Sequence, residues 1–150
     1  MLIERTNEFF ERHWSGNLNC PTWNFDWQWR GAVPNYLLPG LYALLKDDEL
    51  VYIGLGRSGS ERGLSARLES HVLKIEKSGN DKWYVPQPKW ADLGVNRLAT
   101  IGFPTDYGYL APALEDYLIE RLNPPANRVG RSELDGVFWG QDFLERSFIS

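Results

Sequence analysis

The first 38 residues combine a helical hydrophobic pattern with a strand-like one. Residues 3–14 predict an amphipathic helix whose apolar face carries Ile3, Phe9, Phe10 and Trp14. The tryptophan-rich segment that follows spans residues 14–29. In it the rings of Trp23, Phe25, Trp27 and Trp29 alternate with polar side chains and share one face if this part is a strand. The segment is either a satellite core or a surface on which bases or sugars stack. The core is favoured, because exposed indoles would leave a large apolar patch.

The next pattern predicts a β-hairpin. Two apolar runs, 40–45 and 50–54, flank a short polar connection. With an odd-numbered loop centred on Asp47, Tyr42 lies directly opposite Tyr52 on the same face of the sheet. A two-residue loop would instead send the two phenols to opposite faces.

Further elements follow along the chain. A loop rich in Gly, Ser and Arg precedes a helix over 64–78, with Leu64, Leu68, Val72 and Ile75 on its apolar face. The remaining predicted elements are a long loop over 81–94, a third strand over 97–103, a helix over 110–122 and a short final helix over 141–147.

These elements predict a single α+β domain with a small, three-stranded, mainly antiparallel sheet flanked by helices. The 150 residues suit one domain. We divide it into an N-terminal helix and tryptophan-rich extension (1–38), a core (39–128) and a C-terminal extension (129–150).

Composition and charge narrow the classes of function. The chain is 43% hydrophobic and 24% charged, as in ordinary globular domains, and shows neither a membrane span nor a signal peptide. Cys20 is the single cysteine, which excludes an internal disulfide and suits a reducing, cytoplasmic location. The net charge of −4 counts against a nucleic-acid binder, but residues 57–82 carry six basic and four acidic residues, a local charge of +2.

Four residues on or after the predicted helices are candidates for chemistry. Arg67 and His71 lie one helical turn apart at the edge of an apolar stripe. Glu115 adjoins the apolar face of the later helix, and Asn127 follows a pair of prolines. Each alone has an ordinary structural explanation, as a surface charge or a turn residue.

Their order along residues 40–127 indicates more. Gly40-Leu41-Tyr42 and Tyr52-Ile53-Gly54 come first, and Arg67, His71, Glu115 and Asn127 follow. This ordered set resembles the GIY-YIG nuclease superfamily, with Leu41 where the family name has Ile. The resemblance implies a three-stranded sheet with flanking helices and a metal-dependent endonuclease that hydrolyses phosphodiester bonds, in DNA rather than RNA.

The resemblance also implies a role for each residue. Glu115 would hold one Mg²⁺ or Mn²⁺ ion, and Arg67 would stabilise the negative charge of the transition state. Tyr42 would orient or deprotonate the attacking water, and Tyr52 would hydrogen-bond that water or the scissile phosphate. His71 would relay a proton, grip a phosphate or make only a structural hydrogen bond.

Four further residues complete the predicted site. Asn127 would tie the loop after the second helix to the site. Arg57, Arg62 and Lys74 are the predicted substrate-binding residues. Arg62 is also the alternative to Arg67 as the catalytic arginine, and the Ala-Arg-Leu-x-x-His context favours Arg67.

Nucleic acid, DNA above all, is therefore the expected partner, and its binding should be modest and sensitive to salt. No added DNA-binding module is visible, which favours a specificity-providing partner protein. A homodimer is the other possibility, because one active site cuts one strand. The alternative function is a catalytically idle fold that binds nucleic acid or protein through the tryptophan-rich segment.

Overall fold

A three-stranded antiparallel sheet lies at the centre of the protein. The computed structural model describes residues 1–15, 18–56 and 62–127. In chain order its elements are α1 (Leu2–His13), β1 (Gly40–Lys46), β2 (Glu49–Gly56), α2 (Leu64–His71), β3 (Leu73–Ser78), β4 (Asp81–Pro86), α3 (Pro88–Asp92), β5 (Arg97–Gly102), a 3₁₀ helix (Thr105–Leu110) and α4 (Ala111–Leu122). The central strands have the order β2-β1-β5, and β3 and β4 form a separate two-stranded sheet. The predicted α+β class with a three-stranded antiparallel sheet and an N-terminal helix is confirmed.

The prediction for 64–94 is wrong at two points. Helix α2 ends at His71, and residues 73–78 form strand β3 instead of continuing the helix. Residues 81–94 contain strand β4 and helix α3 instead of a long loop. The apolar residues Val72, Leu73 and Ile75 fit a helical and an alternating period equally well, and pairing with the β-prone run Trp83-Tyr84-Val85 decides for a strand.

The two faces of the central sheet carry separate cores. Helices α1 and α4 cover one face, where Phe9, Phe10, Leu114 and Leu118 pack against inward residues of the strands. Helices α2 and α3 cover the other face, where Leu64, Leu68 and Trp90 pack on Tyr42 and Leu44. On α1 the prediction fails for Ile3, which is 53% exposed, because Leu2 and Thr6 take the inner positions.

The register of the hairpin differs from the prediction. Tyr42 pairs with Gly54, and Leu44 pairs with Tyr52, so the two tyrosines are diagonal neighbours instead of directly opposed. The connection is a two-residue loop, since Lys46 pairs with Glu49. A bulge between Leu44 and Leu45 shifts the register, and both phenols therefore still lie on the same face.

Residues 18–29 of the tryptophan-rich segment do not form a strand of either sheet. Its backbone touches the sheet through one isolated bridge between Asn24 and Thr100, at the outer edge of β5. Trp23 and Phe25 pack on the core beside α1, whereas Trp27 and Trp29 belong to the core beside α2. The expected sharing of one face is therefore wrong, because the segment crosses the β5 edge from one core to the other. Its rings are packed in the cores, as the favoured interpretation expected.

Two remaining expectations concern the ends of the domain and the membrane. The predicted final helix over 141–147 and the C-terminal extension lie outside the described residues. Within the described ranges, the structure contains no helix long and apolar enough to cross a membrane.

Candidate functional site

Two tyrosine rings from neighbouring strands form the floor of the candidate site. Tyr42 of β1 and Tyr52 of β2 face the α2 side of the sheet, with ring centroids 6.1 Å apart. Tyr42 is only 1% exposed, whereas Tyr52 is half-buried and packs against Trp90 of α3, with ring centroids 4.8 Å apart and the rings tilted by 45°. A ligand that approaches this face meets Tyr52 first.

Gly54 makes room for the Tyr42 ring. It lies directly across the ladder from Tyr42 in the middle of β2. A Cβ atom there would stand 2.1 Å from Cζ and 2.3 Å from the hydroxyl oxygen of Tyr42. The glycine thus provides space for the side chain of the neighbouring strand.

Helix α2 brings an arginine to both phenols. Leu64 and Leu68 are fully buried against the sheet, so the neighbouring Arg67 lies at the margin of the buried face. The Arg67 guanidinium is within hydrogen-bonding reach of the Tyr42 and Tyr52 hydroxyls. Partial burial lowers the pKa of Arg67, and the two phenols raise it. The effect of the phenols is the larger, so the pKa of Arg67 lies above its ordinary value.

The start of α2 is fixed to the loop that precedes β1. The backbone N–H groups of Leu64 and Ser65 donate to the carbonyls of Leu38 and Tyr36 at 2.9 and 2.8 Å. These bonds satisfy groups that have no partner within the helix itself. Gly63 adopts a φ of +53°, and a Cβ atom there would lie 2.4 Å from the Leu38 carbonyl oxygen. The close approach of this loop therefore helps to hold Arg67 over the tyrosines.

The environment of Tyr42 keeps its phenol protonated. Burial raises its pKa well above the ordinary value, and neighbouring Tyr52 and Glu115 act in the same direction. Arg67 acts the other way but does not reverse the shift. In this protein the Tyr42 hydroxyl is accordingly a hydrogen-bond donor near neutral pH.

Glu115 lies on α4, the helix that covers the face of the sheet opposite to the tyrosines. It is half-buried, and its charge is close enough to act on the Tyr42 phenol. Among the residues that the structure describes, no group of three or more His, Cys, Asp or Glu side chains is placed to hold a metal ion. One carboxylate still suits Mg²⁺, which is commonly bound by one or two carboxylates, waters and substrate phosphates.

His71 lies at the rim of the site, at the end of α2. Its backbone carbonyl accepts a 2.7 Å hydrogen bond from the Trp90 indole N–H. His71 is exposed overall, but part of its imidazole is shielded from water. This partial burial and the charges of Arg67 and Lys89 hold the pKa of His71 below its ordinary value. A neutral imidazole near pH 7 can accept a proton or a hydrogen bond.

Asn127 closes the outer edge of β2. Its side-chain amide donates to the Ile53 carbonyl and accepts from the Ile53 N–H, both at 3.0 Å. Because β2 is an edge strand, no neighbouring strand bonds the outer backbone groups of Ile53. The Asn127 amide takes the place of that strand. Asn127 is 7% exposed and its amide is used by the Ile53 backbone, so this geometry suits the predicted role as a tie.

Two of the predicted substrate-binding residues, Arg62 and Lys74, form ion pairs with nearby glutamates. Arg62 forms an ion pair with Glu69, which also accepts from the Tyr36 hydroxyl. Lys74 lies on β3, 3.3 Å from Glu76. Arg57 lies outside the described residues. Arg67, rather than Arg62, is the arginine that reaches the phenols.

Two residues of this region were not predicted. Trp90 packs against Tyr52, and the Lys89 ammonium lies 4.8 Å from the centre of the Trp90 indole ring. Both belong to α3, which begins at Pro88, a residue favoured in the first turn of a helix. The sequence Gln-Pro-Lys-Trp indicates the start of a helix, but nothing in the local sequence places that helix beside the hairpin.

The fold thus brings together Tyr42, Tyr52 and Arg67, with Glu115 close to Tyr42 and His71 at the rim. Asn127 supports the strand behind them. Comparison of the chain with models of known protein families, with curated proteins and with solved structures found no match.

Proposed function

We propose that this protein is a metal-dependent endonuclease of the GIY-YIG type that hydrolyses phosphodiester bonds in DNA. The proposal rests mainly on one observation, the reach of Arg67 from α2 to the hydroxyls of two tyrosines on neighbouring strands. The acidic Glu115 near the same phenol and the tie made by Asn127 support it. These residues are the ones that the family resemblance identifies, and they occur in the same order along the chain.

Arg67 is the residue that meets the phosphate. A guanidinium carries its charge at every ordinary pH and presents a planar fork of donors to phosphate oxygens. The two phenols beside it favour its position before the substrate arrives, which lowers the reorganisation needed as negative charge develops. Tyr52, which is half-buried, donates to the scissile phosphate or to the attacking water.

Tyr42 orients the site and does not remove a proton. Its burial and raised pKa favour orientation over deprotonation, the two roles that the resemblance leaves open. From the floor of the site it fixes Arg67 and hydrogen-bonds groups that reach it. The neutral, exposed His71 is better suited to accept a proton from the attacking water.

Glu115 holds the divalent ion in this proposal. Mg²⁺ or Mn²⁺ supplies neutralisation of phosphate charge and a lowered pKa for bound water. The negative charge of Glu115, close enough to act on the Tyr42 phenol, suits a hard divalent cation that would also bind phosphate oxygens and water.

A cleavage panel tests the proposal. The full chain is incubated with single-stranded DNA, duplex DNA, branched DNA and RNA, each with Mg²⁺, with Mn²⁺ and with EDTA. We expect metal-dependent cutting of at least one DNA substrate and little cutting of RNA. Tight binding of a nucleic acid or a protein without metal-dependent turnover would favour the idle binding module instead.

A further inference from the structure

We propose that the two-stranded ribbon formed by β3 and β4 lies in a groove of duplex DNA and contacts its phosphates through Lys77 and Lys82. This inference rests on the proposed function, because it assigns a part of the fold to the binding of the same substrate. The ribbon is named here for residues 73–86.

Two like charges face each other near the tip of the ribbon. Lys77 and Lys82 are directly paired across the ladder, so their side chains leave from the same face. Both are exposed, and neither forms an ion pair with any residue that the structure describes. Directly opposed like charges destabilise a two-stranded sheet, and an anionic partner would remove this cost.

The other face of the ribbon shows the contrast. Lys74 pairs with Glu76 at 3.3 Å, and Asp81 pairs with Arg30 at 2.5 Å. The Arg30 guanidinium also lies 5.4 Å from the centre of the Trp83 ring. Charges on that face are balanced within the protein, whereas Lys77 and Lys82 leave a net charge of +2 exposed on theirs.

The base of the ribbon adjoins the candidate site. The ribbon begins two residues after His71 and ends just before α3, which carries Trp90. The Gln87 amide donates to the Leu73 carbonyl at 3.2 Å, and the Trp90 indole donates to the His71 carbonyl. DNA held at the tyrosines would therefore pass close to the base of the ribbon.

The dimensions of the ribbon suit a duplex. Six residues per strand extend about 20 Å from base to tip. That length corresponds to about six base pairs, and the major groove admits a two-stranded ribbon. Ile75, on the same face as Lys77, is 48% exposed and adds an apolar contact between the base and the lysines.

The test measures binding separately from cutting. The affinity of the full chain for a 30-base-pair duplex is measured by fluorescence anisotropy in EDTA, between 50 and 200 mM salt. Two lost phosphate contacts reduce the slope of log affinity against log salt by about 1.8. We expect the Lys77→Gln/Lys82→Gln variant to show this smaller slope, so that the wild type loses roughly tenfold more affinity than the variant across this salt range.

A matched variant removes the same charge elsewhere. Arg12→Gln/Lys46→Gln takes two exposed positive charges from α1 and from the end of β1. We expect it to keep the wild-type slope. Thermal unfolding of the ribbon variant should have a midpoint equal to or above that of the wild type, because a repulsive pair has been removed.

Three results would overturn the ribbon proposal. They are an unchanged salt slope in the ribbon variant, an equal loss of affinity for a 30-nucleotide single strand, and no duplex binding by the wild type. Aggregation of the variant with an unchanged slope would show that the lysines protect a sheet edge instead. A wild type that binds through the ribbon but cuts nothing with Mg²⁺ would uphold the ribbon and refute the nuclease.

Discussion

At the scale of single residues, the contact between Gly54 and Tyr42 links fold and site most closely. The ring of a fully buried tyrosine occupies the place of a side chain on the opposite strand. A methyl group added there meets the ring itself, which is held between Arg67, Tyr52 and the sheet. A side chain at position 54 would therefore force the Tyr42 ring to move.

We therefore expect Gly54→Ala to lower the free energy of unfolding by about 1–3 kcal/mol, the range for overpacking a core. Chemical denaturation measures it. The control is the same substitution in a Tyr42→Ala background, where the obstructing ring is gone and the added cost should be much smaller. Equal costs in both backgrounds would contradict the assigned contact.

The His71 imidazole is expected to titrate below the ordinary value of about 6.5. Partial burial and the charges of Arg67 and Lys89 lower its pKa. The folded protein then binds fewer protons than the unfolded chain near this pH, so the free energy of unfolding falls as pH is lowered through about 6.5.

Histidine NMR measures this pKa directly. Lys89→Gln should shift the His71 titration upward, because it removes one of the two positive charges. His71→Asn should weaken the dependence of stability on pH between 5 and 7. A His71 midpoint at or above the ordinary value would contradict this account.

At the scale of elements, Asn127 couples the segment that follows α4 to the edge strand β2. Its amide satisfies both backbone groups of Ile53, and these bonds are buried. We expect Asn127→Ala to leave them without partners and to cost about 1–3 kcal/mol of stability. Hydrogen exchange should show faster exchange at the Ile53 amide. Asn7→Ala, at an exposed position on α1, is the control and should change little.

The sequence predicts elements better than it predicts their partners. Helices α1 and α4 and strands β1, β2 and β5 have strong local periods, and the structure confirms them. The strand β3 was missed because its apolar residues also fit a helix, and its pairing with β4 depends on distant residues. The hairpin register was missed because nothing in the sequence marks the bulge beside Leu45.

The same limit applies to the site. Tyr42, Tyr52 and Arg67 were named from their order in the chain, and the structure brings them together. Trp90 and Lys89 were not named, because their positions depend on the ribbon that returns the chain to α2. Arg62 was predicted to bind substrate because it lies in the basic stretch 57–82 of the family-like region, and in the structure it forms an ion pair with Glu69.

At the scale of the whole molecule, charge is distributed unevenly. The chain carries −4 in total, whereas residues 57–82 carry +2. The ribbon presents two of these cations on one face next to the candidate site. An acidic protein with such a local basic surface should bind DNA moderately and in a strongly salt-dependent way.

Cleavage of a supercoiled plasmid by matched variants tests the central claim most directly. With Mg²⁺, the wild type should produce nicked circles before linear DNA, because one active site cuts one strand. Arg67→Ala and Glu115→Gln should each reduce the rate about 100-fold or more, whereas Arg12→Gln and Asp116→Asn, at exposed positions, should retain it. Thermal unfolding verifies that each variant is folded. Unchanged cutting by both Arg67→Ala and Glu115→Gln would contradict the proposed function.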